Sequence, residues 1–135
     1  MKTTYSLLLI FTILITFLAE CTPDSTEDPN PSDPRQKFLG TWLVQETGKK
    51  KLTYQVNISE NPSNTSEVLI SNFYNFGIKP YAIVTSGTIT MPVQSFASQG
   101  IQVNGSGEYS TNRIQWIYYV NNGADLDTIV SVYSK

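Results

Sequence analysis

Six carboxylates lie beyond residue 37: Glu46, Glu60, Glu67, Glu108, Asp125 and Asp127. Two carboxylates held about 5–9.5 Å apart can cleave a glycosidic bond as acid and base, but none of the four glutamates sits in a recognisable catalytic motif. Asp125 and Asp127 follow Asn121-Asn122-Gly123, and their oxygens together could gather around Ca²⁺. The Gly-centred loop and closing glutamate of a calcium hand are missing, so a solvated hairpin is expected there and no metal. Histidine is absent and Cys21 is the only cysteine. That removes an intrachain disulfide, a His/Cys zinc site and any nucleophile activated by histidine. The composition therefore predicts a protein that is not an enzyme and carries no cofactor.

Contact chemistry is better represented than bond-making chemistry. Asn72-Phe73-Tyr74-Asn75-Phe76-Gly77 places three aromatics in four positions, too many for one side of a strand. Phe73, Tyr74 and Phe76 are thus candidates for a barrel mouth or surface platform, where rings stack on sugars or cover an apolar ligand. The alternative is that they plug the barrel end as core. Trp116 and Tyr118 share a parity with Ile114 and read as core, whereas Tyr119, on the other face beside Arg113, is the better contact candidate. Lys49-Lys50-Lys51 reads as a solvated turn that blunts a strand edge. Formal charge is −2, with 11 acidic against 9 basic residues. No basic excess exists to draw in a phosphate backbone, so no nucleic-acid partner is expected.

The elements that must position these residues read as strands. Leu52, Tyr54, Val56 and Ile58 alternate with polar neighbours, as do Ile114, Trp116, Tyr118 and Val120. Such period-two alternation predicts strands near 41–47, 51–59, 67–73, 81–85, 88–91, 101–109, 113–120 and 128–133. No segment keeps apolar residues at helical spacing over three turns. Short turn-like links separate the runs: Asn61-Pro62-Ser63-Asn64, Ser86-Gly87 and Asn121-Asn122-Gly123. About eight consecutive strands with hairpin links predict an all-β, antiparallel, up-and-down barrel, which removes its edges by closing. Gly105 and Gly107 fall on one face of their strand, marking a strong bend or close backbone approach.

Three segments organise the chain. Leu7 to Leu18 is nearly all apolar behind Lys2, too short to span a bilayer and the right length for a signal-peptide core. Leu18-Ala19-Glu20-Cys21 then resembles the lipobox of bacterial lipoproteins, with Glu20 in place of the usual small residue. The resemblance implies a signal peptide over 1–20, acylation of Cys21, and a lipid-anchored protein of the outer membrane whose partner is the membrane itself. Residues 21–37 read as the lipidated cysteine and a disordered, Pro-rich tether. Residues 38–135 form the domain, with six acidic and six basic side chains.

That domain opens with Phe38-Leu39-Gly40-Thr41-Trp42-Leu43-Val44, which resembles the start of lipocalins and fatty-acid-binding proteins. The resemblance, to a small lipocalin-like (calycin-type) domain, implies that Trp42 closes the barrel's bottom. The arginine partner of that tryptophan near the chain end has no clear counterpart, since Arg113 lies a strand early and Lys135 is terminal. Two functions stay open. One is binding of a small apolar or amphipathic molecule or a glycan. The other is a non-catalytic interaction or structural module whose barrel is filled by bulky inward residues such as Tyr54, Ile58, Trp116, Tyr118 and Val132.

Overall fold

The computed structural model describes residues 33–47 and 51–135. The signal peptide, Cys21, most of the expected tether, and Lys49 and Lys50 of the lysine cluster lie outside the described residues.

Eight strands follow one another: β1 (Gly40–Thr47), β2 (Thr53–Glu60), β3 (Glu67–Ser71), β4 (Tyr81–Thr85), β5 (Thr88–Phe96), β6 (Ile101–Ser110), β7 (Arg113–Asn121) and β8 (Leu126–Ser134). Each pairs antiparallel with the next, and β1 pairs with β8 from Leu43↔Ser134 to Thr47↔Val130, closing the barrel. The described residues contain no helix. The expected all-β, up-and-down barrel of eight strands is the fold.

Period two does the sorting. Trp42, Val44, Val56, Ile58, Ile114, Trp116 and Tyr118 are buried, and the residues between them face solvent. Leu52, expected to join that face, lies just outside β2 and is exposed. The larger correction concerns β8. Val132 is not an inward residue: Ile129, Ser131 and Tyr133 are the buried set. Both parities of this strand carry apolar side chains, so apolarity could not choose between them. The ladder does, because Tyr133 pairs with inward Val44 and Ile114, which leaves Val132 opposite Gln45 and Gln115.

β5 also runs further than expected. The strand expected over 88–91 meets Pro92, which cannot donate to a ladder. The strand instead bulges between Met91 and Gln94 and continues to Phe96. Gln94 covers the gap: its side-chain Oε1 accepts from Tyr81 N (2.9 Å) and its Nε2 donates to Tyr81 O (2.8 Å), replacing the lost pairing with β4. β6 and β7 make the close approach its glycines announced. A Cβ on Gly105 would lie 2.5 Å from Tyr118 Cβ, and one on Gly107 2.8 Å from the Trp116 ring. The register pairs Gly105 with Tyr118 and Gly107 with Trp116, so each glycine clears inner-wall space for an aromatic ring. Thr111 and Asn112, both at positive φ (48° and 56°), make the two-residue turn that joins these strands.

The end where β1 begins is sealed. Trp42 Nε1 donates to Phe38 O (2.7 Å), and Tyr109 packs edge-on against both Phe38 and Trp42. Lys135 lies over this plug: its Nζ is 4.4 Å from the centre of the Trp42 ring and donates to Leu39 O (2.7 Å). The tether was expected to run to Lys37, yet residues 34–38 form a turn packed on this end. Buried Arg35 grips Asp33 through Nη2 (2.6 Å) and reaches Glu67 O through Nη1 (3.4 Å).

Candidate functional site

The opposite half of the barrel holds a polar cluster. In β1 the inward parity runs Trp42, Val44, Glu46, so the strand's own alternation carries a carboxylate to the inside. Glu46 is the one buried carboxylate among the described residues, 5% exposed. Tyr54, inward on β2, donates its hydroxyl to Glu46 Oε1 at 2.7 Å. Tyr118 donates to the same oxygen at 2.5 Å from β7, and the two hydroxyls are 3.3 Å apart. Glu46 Oε1 thus uses both of its lone pairs on phenol hydrogens.

Three further polar atoms line this interior without a hydrogen-bond partner: Trp116 Nε1, Ser131 Oγ and Tyr133 Oη, all on residues with no exposure. Ser131 lies opposite both Glu46 and Trp116 in the ladder, and the Trp116 and Tyr133 rings are 5.8 Å apart. Burial pushes the Tyr118 hydroxyl far above its ordinary pKa, with nearby Tyr54 and Tyr133 adding to the effect. Burial likewise raises Tyr54 and Tyr133, and the Glu46 charge works in the same direction on both. Burial thus favours the neutral form of all three phenols, of which Tyr54 and Tyr118 donate to Glu46.

Over this cluster sits the aromatic loop. Phe73 is fully buried, its ring 4.8 Å from Tyr118; Tyr74 is half-buried, edge-on to Tyr118 at 6.2 Å and 4.9 Å from Phe76; Phe76 is exposed. Phe73 is therefore core, while Tyr74 and Phe76 form a rim. Asn72, Tyr74 and Asn75 all have φ between 54° and 59°, a left-handed conformation that few side chains adopt. Asn72 Nδ2 anchors the loop to Gln55 O at 2.8 Å. Asn tolerates this region, whereas for Tyr74 it costs about 1–3 kcal/mol, strain of a kind that clusters at ligand sites.

Most other candidates lie elsewhere, although the Asp127 charge, after burial, helps to raise the Tyr74 pKa. Tyr119 stands on the outer wall of β7, away from the rim, beside a groove of about 440 Å³ bordered by Val93 and Ile117. A second outer groove, of about 470 Å³, runs past Glu108, Gln115, Ile117 and Val130. Glu60 accepts from Gln36 and Glu67 from Asn61 and Asn64, all at the sealed end. Asp125 and Asp127 lie at the β7–β8 turn, where Asn122 Oδ1 caps the backbone of Ala124 and Asp125. The aromatics Phe73 and Tyr74 are brought together with Glu46; Tyr119 is not. In the sequence Glu46 stands out only as a candidate for a catalytic carboxylate pair. Its real signal was a carboxylate on the parity of Trp42 and Val44.

No described protein family and no curated protein matches the chain. Solved structures with the same architecture exist. A redesigned β-barrel, mFAP1, bound to DFHBI, superposes with a TM-score of 0.54 at 18% identity, over 77% of this chain and 100% of the other. Another redesigned barrel, b11L5F_LGL, gives a TM-score of 0.50 at 14% identity, over 76% of this chain and 95% of the other. At such identities the likeness is one of fold: an eight-strand antiparallel barrel, consistent with a lipocalin-like barrel.

Proposed function

We propose that this protein is a lipid-anchored component of the bacterial outer membrane, held by acylated Cys21, whose barrel binds a small amphipathic molecule at the end capped by Tyr74 and Phe76. One observation carries the reading. Trp116 Nε1, Ser131 Oγ and Tyr133 Oη are buried around Glu46 with no protein partner. Leaving a buried polar group unsatisfied costs about 1–3 kcal/mol, a large sum against a whole-domain stability of about 5–15 kcal/mol. Fully buried polar atoms take their partners from enclosed water or from a bound molecule, and on the binding reading these three take theirs from a bound molecule. That a barrel of this architecture holds DFHBI supports the capacity of the fold, not any choice of ligand.

Native mass spectrometry of the full chain isolated from its host and released from detergent is expected to show a one-to-one small-molecule adduct. Bare protein only would overturn the binding reading. It would favour a filled barrel acting through its outer wall, where Val93, Ile117 and Val130 are about half exposed or more. The anchor rests on the lone cysteine behind Leu18-Ala19-Glu20. Cys21→Ser is expected to abolish palmitate labelling and membrane retention, and unchanged labelling would remove the anchor from the proposal.

A further inference from the structure

We propose that the molecule bound inside the barrel is a small organic cation: a protonated amine with a nearby hydroxyl or carbonyl oxygen. The inference rests on the binding reading above and names its ligand class.

Charge gives the first half of the argument. Glu46 is a carboxylate inside the wall, and among the described residues the ion pairs involve only Arg35, at the sealed end. Two phenols donate to one oxygen of Glu46, and neither brings a positive charge to it. A negative charge in a low-dielectric interior repels an anionic ligand, and its attraction for a cation is far less screened than in water. The walls agree with that preference. Tyr54 and Tyr118 reach Glu46 through their hydroxyls, and the paired Trp116 and Tyr133 rings are buried in the same half of the barrel; aromatic rings attract cations, more strongly once these are stripped of water. A carboxyl group among buried aromatic side chains suits an organic ammonium, whereas a metal ion would want more oxygen ligands than one carboxyl group provides.

The unpartnered atoms give the second half. Trp116 Nε1 can only donate, so the ligand must present an acceptor as well as a positive charge. Tyr133 and Ser131 hydroxyls can take either role. An amine alone would satisfy Glu46 and leave the indole orphaned; an amino alcohol or amino ketone satisfies both.

Isothermal titration of the full chain in non-ionic detergent tests this with three probes of one shape. Phenylalaninol carries the ammonium and the hydroxyl, its diol analogue replaces the amine by a hydroxyl, and phenyllactate carries a negative charge. Phenylalaninol is expected to bind about 10- to 100-fold more tightly than the diol, the range for a hydrogen bond to a charged partner. Phenyllactate is expected not to bind. In Glu46→Gln, whose amide oxygen still accepts both phenols, the preference for amine over diol should vanish while the melting temperature stays near that of the parent. Equal affinity for amine and diol in the unaltered protein would overturn the cation class and leave a ligand-binding barrel standing. Failure of all three probes to bind would overturn the inference too. The adduct measurement above would then decide the binding reading independently.

Discussion

At the end where β1 begins, Phe38, Trp42 and Tyr109 pack on one another, Lys135 lies over the indole, and Arg35 ties the incoming chain to the β2–β3 turn. The Trp42 indole N–H has its acceptor there and the charged groups have theirs. At the far end the same barrel encloses a carboxylate and three orphaned polar atoms under a strained loop. One end is built as a plug and the other tolerates unfavourable terms that packing alone would have removed. Since both ends share strands, turn chemistry and curvature, the difference lies in side-chain choice. On the proposed reading, stability and ligand binding are separated along the barrel axis.

The largest effect is expected from breaking the plug. Trp42→Ala should destabilise the domain by about 3–5 kcal/mol, the usual cost of emptying a large aromatic site, read by chemical denaturation. A shift of a few tenths of a kcal/mol would show that the sealed end is not the stabilising one.

Alkaline titration probes the other end. An unfolded tyrosine ionises near pH ~10, whereas Tyr54, Tyr118 and Tyr133 hold their protons well beyond that in the fold. Groups with raised folded pKa leave stability intact below the unfolded value and erode it as pH rises above it. The loss should reach about 1.4 kcal/mol per pH unit for each tyrosine. Denaturation midpoints that stay flat from pH 9 to 11, as order-of-magnitude bounds of that window, would mean the phenols are not buried donors.

Tyr118→Phe should cost about 1.5–3 kcal/mol, because it strips a donor from a buried carboxylate. Replacing the network together, as Glu46→Leu with Tyr54→Phe and Tyr118→Phe, should be close to neutral or stabilising, as apolar replacement of buried ionic groups often is. It should also flatten the alkaline decline and abolish amine binding. A large destabilisation by the triple variant would mark the cluster as structural and erase the contrast between the ends. Smallest is Lys135→Met, expected to cost about 0.5–1 kcal/mol by removing an exposed cation–π contact. Its failure to change the melting temperature would leave Trp42 held by packing alone.

What the sequence determined by itself was local and periodic. Alternation over β2 and β7, the turn chemistry of Asn121-Asn122-Gly123, and the paired glycines of β6 fix strand, hairpin and close approach, since each depends on neighbours along the chain. The sealed end was legible for the same reason: Gly40-Thr41-Trp42 is one contiguous signal. Tertiary structure decided the rest. Only the ladder with Val44 and Ile114 turned Tyr133 inward rather than Val132, and only Gln94, reaching back to Tyr81, let β5 pass Pro92. The candidate site is the extreme case. Glu46, Tyr54 and Tyr118 are separated by up to 72 positions, yet one oxygen accepts from both phenols. Inward parity could be read at each of them, but not that the three meet: period two tells a residue which face it occupies, and barrel closure alone sets which residues share a level.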